Sequence, residues 1–196
     1  AYAGSNLSYI VSAQITPLFT ENGNTTGSFN DSRDFKTYNW IKIGNQVWME
    51  DNLAWLPSVS PPINISVTYP YYYVYGNTGS DISAAKNNNN FTTYGVLYNI
   101  EAALTACPAG WHLPSDAEWK ILTTFLGGES LAGSKIKESG TTHWASPNTD
   151  ATNESCFNGL PGGMLDIGGY FNGSGYVSYW WSSTETSSGK AWSRYL

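Results

Sequence analysis

Apolar and polar positions alternate most informatively between residues 94 and 126, YGVLYNIEAALTACPAGWHLPSDAEWKILTTFL. Val96, Leu97, Ile100, Ala103 and Leu104 recur at helical spacing, so the pattern predicts a helix over 94–105 that stops at Cys107-Pro108, where proline cannot continue it. A second helix is predicted over 115–126. Ser115 is its N-cap, Glu118 completes a capping box three residues on, and Trp119, Leu122, Phe125 and Leu126 form its apolar stripe before Gly127-Gly128 ends it. Neither helix can bury that face alone.

Elsewhere the period falls to two. DFKTYNWIKIGNQVWMEDNL reads as a hairpin, with strands at 36–43 and 46–50 around a Gly44-Asn45 turn. A tyrosine-rich strand is expected at 71–75, followed by a loop tip at Asn87 to Asn90. LAGSKIKESG reads as a short strand or turn, and the C-terminal part alternates short strands with glycine turns, its Trp180, Trp181 and Trp192 assigned to the core. The first 30 residues form a separate β-prone extension. Within it Leu7, Tyr9, Ile10, Val11 and Ile15 mark a strand, bounded by Pro17, that has no partner in its sequence neighbourhood. The organisation is thus an arm over 1–30 and one α+β domain over 31–196.

Composition narrows the function. Only 12% of the 196 residues are charged, against a usual quarter or so, and 15% are aromatic. A net charge of −6 with nine Lys plus Arg gives nucleic acid or an anionic membrane nothing to meet. No apolar run is long enough to span a bilayer, so membrane insertion is not expected. Sequons begin at Asn6, Asn24, Asn30, Asn64, Asn90, Asn153 and Asn172. They suggest a glycosylated exterior, although loops rich in Asn, Ser and Thr also generate such triplets idly. Two cysteines, Cys107 and Cys156, are the whole thiol inventory. In a secreted chain they are candidates for one disulfide closing a loop of about 50 residues, worth roughly 4 kcal/mol.

Catalytic chemistry is hard to place. His112 and His143 have no metal-ligand spacing, and the first is expected to satisfy a turn carbonyl. There is no G-x-S-x-G elbow, S-x-x-K motif or phosphate loop, and Asp116 and Glu118 are used in capping. No catalytic residue, metal ligand or cofactor is assigned, and the chain reads as a non-enzyme. Calcium remains a minor option through Asn148, Asp150, Asn153 and Glu154, whose oxygens crowd one loop without the EF-hand pattern. Tyr71, Tyr73 and Tyr75 are candidate stacking surfaces for sugar rings, with a buried two-faced tyrosine sheet as the plainer alternative.

The ordered series YGVLYNIEAALTACPAGWHLPSDAEW, LGG, LAGSKIKE, FNGLPGG, GGYF, WWSSTE and AWSRYL resembles the Fibrobacter succinogenes major paralogous domain, from about Asp31 onward. The resemblance implies a C-type-lectin-like fold, two helices on small antiparallel sheets with long loops, in prokaryotic secreted and surface proteins, with no general activity attached. It also implies a further strand, often carrying the second cysteine, beyond the AWSRYL motif. With Leu196 the last residue, Cys156 is the internal candidate partner for Cys107, and an open sheet edge is expected. Put together, an extracellular or cell-surface structural protein is expected, a filament or layer built from copies of the chain by donation of the arm into the next subunit. The arm folding back on its own domain is the rival arrangement, and a glycan-binding adhesion module is the alternative function.

Overall fold

The computed structural model describes Ile10–Val11, Phe19–Glu21 and residues 24–196, with side chains from Thr25 onward. Five strands come first: β1 (Ile10–Val11), β2 (Phe19–Glu21), β3 (Asn24–Asn30), β4 (Thr37–Ile43) and β5 (Gln46–Met49). A mixed stretch follows, with β6 (Tyr72–Tyr73), α1 (Ile82–Lys86), α2 (Asn89–Tyr94), β7 (Leu97–Tyr98), α3 (Ile100–Ala103) and β8 (Trp111–His112). Two helices, α4 (Asp116–Phe125) and α5 (Glu129–Ile136), precede β9 (Met164–Leu165), β10 (Phe171–Asn172), β11 (Tyr179–Ser187) and β12 (Lys190–Tyr195). The class is α+β, as the sequence predicts.

The hairpin is the centre of a six-stranded sheet of order β2-β3-β4-β5-β1-β8 in which all neighbours run antiparallel. Pleating sends adjacent residues to opposite faces. Tyr38, Trp40 and Met49 therefore enter a core with Leu53, Val96 and Trp111, whereas Ile41, Ile43 and Trp48 enter one with Trp119, Phe157 and Trp180. This sheet is buried on both faces. Gly27 is needed for it, because a Cβ there would lie 2.3 Å from the Trp40 ring that covers β3.

Of the two predicted helices, the second is present with its capping box. Ser115 Oγ accepts from Glu118 N at 3.3 Å, and Glu118 Oε2 accepts from Ser115 N at 2.7 Å. Phe125, assigned to its apolar stripe, is instead largely exposed and lies beside Gly44 of the β4–β5 turn.

The first predicted helix is broken into α2, β7 and α3. Gly95 ends α2 in the left-handed region (φ +73°), and a Cβ on it would sit 2.6 Å from Leu53 O. Val96 N then donates to Leu53 O (3.1 Å), and Leu97–Tyr98 pairs with Tyr72–Tyr73. Asn99, 2% exposed, starts α3. Its Oδ1 accepts from Tyr71 N (2.9 Å) and Ala102 N (3.1 Å), and its Nδ2 donates to Ser66 O (2.9 Å) and Tyr69 O (2.7 Å). A side chain thus supplies backbone bonds that a continuous helix would have made itself.

Further departures are local. LAGSKIKESG belongs largely to helix α5, which buries Ala132 and Ile136 four residues apart. Asn87 to Asn90 is not a free tip, because Asn88 caps α2 and Asn90 Nδ2 donates to Tyr75 O at 3.0 Å. Trp180 and Trp181 are core residues, but Trp192 is half-exposed, since β12 pairs only with β11. No helix among the described residues is long and apolar enough to cross a membrane.

Candidate assembly site

The most unusual feature of the main sheet is where the arm lies. Ile10 pairs with Trp48 of β5 on one side and His112 of β8 on the other, and Val11 pairs with Trp111. The N-terminal strand therefore occupies an interior slot and not an outer edge. Its partners are far away in sequence, which is why no neighbour could be found for it by reading locally. Ser5 to Tyr9 and Ser12 to Thr16, including Leu7, Tyr9 and Ile15, lie outside the described residues.

The two walls of the slot meet at one residue. Gln46, which opens β5, donates from Nε2 to the main-chain oxygen of Glu118 at 3.1 Å. On β8, His112 Nε2 lies 2.9 Å from Glu118 Oε1. Glu118 Oε2 meanwhile accepts from Ser115 N and from Ser115 Oγ (2.9 Å). Glu118 thus clamps both walls to the first turn of α4, about two strand spacings apart, close to 10 Å. Burial pushes its carboxyl up, but the bonds from Ser115 and His112 outweigh this and hold it below the usual range. His112 consequently meets a carboxylate where a turn carbonyl was expected.

Each wall is also fixed by stacking. Trp48 packs at 4.7 Å between centroids on Trp119 of α4, and Trp111 packs at 4.7 Å on Phe29 of β3. These contacts lie on opposite faces of the sheet. Tyr9-Ile10-Val11 is a continuous apolar run in the arm, the pattern of strands that are buried on both faces.

The remaining candidates are dispersed. Cys107 and Cys156 form no disulfide. Cys107 packs on the core that holds Trp40 and Trp111, and Cys156 belongs to the one that holds Trp48 and Trp119, on the other side of the sheet. Burial pushes the Cys107 thiol up to about 12, so it is protonated at neutral pH. Tyr73 cannot touch a sugar, being 0% exposed with its hydroxyl donating to Asn64 O at 2.5 Å. Tyr71 and Tyr75 are half-buried against the same small cluster.

In the loop considered for calcium, each side chain with a described bond turns to a different neighbour. Asn148 Nδ2 donates to Glu138 O and Gly140 O, Asn153 bonds Asn158, and Glu154 pairs with Lys135 at 3.3 Å. No group of three or more His, Cys, Asp or Glu that could hold a metal ion occurs among the described residues. His143 Nδ1 lies 2.7 Å from Glu138 Oε1. Asn30 and Asn64 present exposed side chains, whereas the Asn90 and Asn153 amides are tied to Tyr75 O and Asn158 Oδ1, and that of Asn172, though exposed, donates to Asp166 Oδ2 and Tyr170 O. Asn6 lies outside the described residues, as does the side chain of Asn24.

The slot was invisible to sequence reasoning, although one of its parts was not. The capping box pointed to Glu118, but nothing local says that its second carboxylate oxygen reaches back to His112 or that its carbonyl holds Gln46. Comparison with curated proteins and with solved structures finds no match. The family model for the Fibrobacter succinogenes major domain matches residues 41–196. That span contains β5, β8 and α4, and so both walls of the slot, while the strand between them comes from outside it. By this match over most of its length, the chain belongs to the Fibrobacter succinogenes major domain family.

Proposed function

We propose that this protein is a non-enzymatic structural subunit of an extracellular filament or surface layer, in which the arm of one copy completes the central sheet of the next. The carrying observation is the slot between β5 and β8, whose walls belong to the family domain and whose occupant does not. A strand paired to both neighbours by its main chain is interchangeable with the same strand from another molecule. In the single chain it comes from the same molecule.

Strand order leaves both closures open. Ile10, Trp48, Ile41, Thr26 and Phe19 lie in one row across the sheet. From β1 to β2 is therefore four strand spacings, about 19 Å. The chain has eight residue steps from Val11 to Phe19, at most about 29 Å fully extended. A swap that runs head to tail makes an open polymer.

A weakly charged surface with exposed sequons suits the outside of a cell, and the small antiparallel sheets with α4 against them suit a C-type-lectin-like arrangement. The test removes residues 1–16 and adds them back. The truncated chain should lose assembly, and a synthetic peptide of Ser5 to Thr16 should bind it and restore its stability as a capped monomer. If the truncated chain assembles as before, or the peptide does not bind, the reading is wrong.

A further inference from the structure

A groove of about 470 Å³ lies along the β11–β12 hairpin and shares no lining residue with the slot. Its apolar wall is aromatic. Trp181 is 4% exposed and fixed by an indole N–H donating to Tyr98 O at 2.8 Å. Tyr179 and Tyr195 pair across the strands with ring centroids 5.8 Å apart and planes 34° apart, and Trp192 completes the set. Trp192 and Tyr195 are 52% and 72% exposed; they stand three residues apart on β12 and so leave opposite faces of the hairpin, and Tyr195, with its cross-strand partner Tyr179, is on the face of Trp181. The polar part of the lining consists of Thr186, Lys190 and Ser193.

This composition discriminates between occupants. Ala191 is the one aliphatic residue in the lining, so an acyl chain or an amphipathic helix would find no aliphatic sockets. A single ammonium in a chain of net charge −6 excludes nucleic acid. Aromatic faces interleaved with hydroxyl and ammonium groups are complementary to pyranose rings, whose C–H faces stack and whose rims exchange hydrogen bonds. The volume is in the range of small-ligand sites. We propose that this groove binds a glycan, a short run of hexose rings lying on the Tyr179–Tyr195 pair with its hydroxyls served by Thr186, Lys190 and Ser193, and that it does so without a metal ion.

The experiment titrates the full chain with cellohexaose, chitohexaose and mannohexaose, followed by tryptophan fluorescence and calorimetry with and without EDTA. One of these should saturate at millimolar concentration or below, equally in both conditions. Tyr179→Ala and Tyr195→Ala should each weaken it by about tenfold or more with the circular dichroism spectrum unchanged, neither ring being buried. Tyr69→Ala, which removes an exposed ring elsewhere, should leave it intact. Absence of saturation by all three sugars up to about 10 mM, binding abolished by EDTA, or binding that survives both groove substitutions would overturn the assignment.

Discussion

Replacing Glu118 by Ala probes the clamp that holds the slot. The substitution removes the acceptor for Ser115 N (2.7 Å) and Ser115 Oγ (2.9 Å) and the contact with His112 (2.9 Å), and leaves the Gln46 bond to the Glu118 carbonyl in place. Loss of the capping-box half contributes about 1 kcal/mol. The His112 contact adds less than about 1 kcal/mol, because the imidazole side chain is 41% exposed and solvent screens it. A total of about 1–2 kcal/mol corresponds to a fall in Tm of about 2–8 °C for a chain of this size.

The pH dependence has a definite sign. A carboxyl held below its ordinary value of 4.5 contributes stability that is complete above that value and lost as pH falls through the lower folded one. The gap between wild type and Glu118→Ala should therefore be widest above about pH 5 and narrow toward pH 3. Hydrogen exchange supplies the specific readout. If Glu118 sets the spacing of the walls, the amide of Val11 should lose more protection than amides of the β3–β4 ladder. A Tm change below about 1 °C, a gap that does not narrow in acid, or uniform loss of protection would refute the clamp.

Other outcomes follow from single residues. Asn99→Ala orphans two buried N–H donors and two carbonyls, and urea unfolding should report a loss of at least about 3 kcal/mol. Gly95→Ala forces a Cβ to within 2.6 Å of Leu53 O at positive φ, and should lower stability by more than about 2 kcal/mol in the same assay. Glycopeptide mapping of material from a glycosylating source should find sugar at Asn30 or Asn64 before Asn90 or Asn153, whose amide nitrogens already donate within the fold.

What could be read from the sequence was whatever is decided locally. The Gly44-Asn45 turn fixes the β4–β5 hairpin, and Ser115 with Glu118 fixes the start of α4, each through contacts spanning a few residues. The apparent helix over 94–105 failed because its decisive partners are remote: Leu53 O, which demands Gly95, and the loop carbonyls of Ser66 and Tyr69, which capture Asn99. Helix α5 was missed because Gly133 and Ser134 mask the spacing of Ala132 and Ile136. The cysteines illustrate the same limit, since sequence separation says nothing about which side of a sheet each thiol enters. Ile10 and Val11 were legible as a strand, but pairing with Trp48, Trp111 and His112 is long-range, and no local signal encodes it.

Strand donation between copies is tested most directly by cross-linking across the slot. In a background with Cys107 and Cys156 replaced by alanine, one chain carries Ile10→Cys and a second, of different tagged mass, carries His112→Cys, the pair being directly opposite in register. The two are mixed under assembly conditions and oxidised. The account predicts a disulfide-linked heterodimer of the two masses, formed in proportion to assembly and absent when residues 1–16 are removed from the acceptor's partner. Absence of the heterodimer at any concentration, while a third chain carrying both substitutions cross-links within itself, would contradict it.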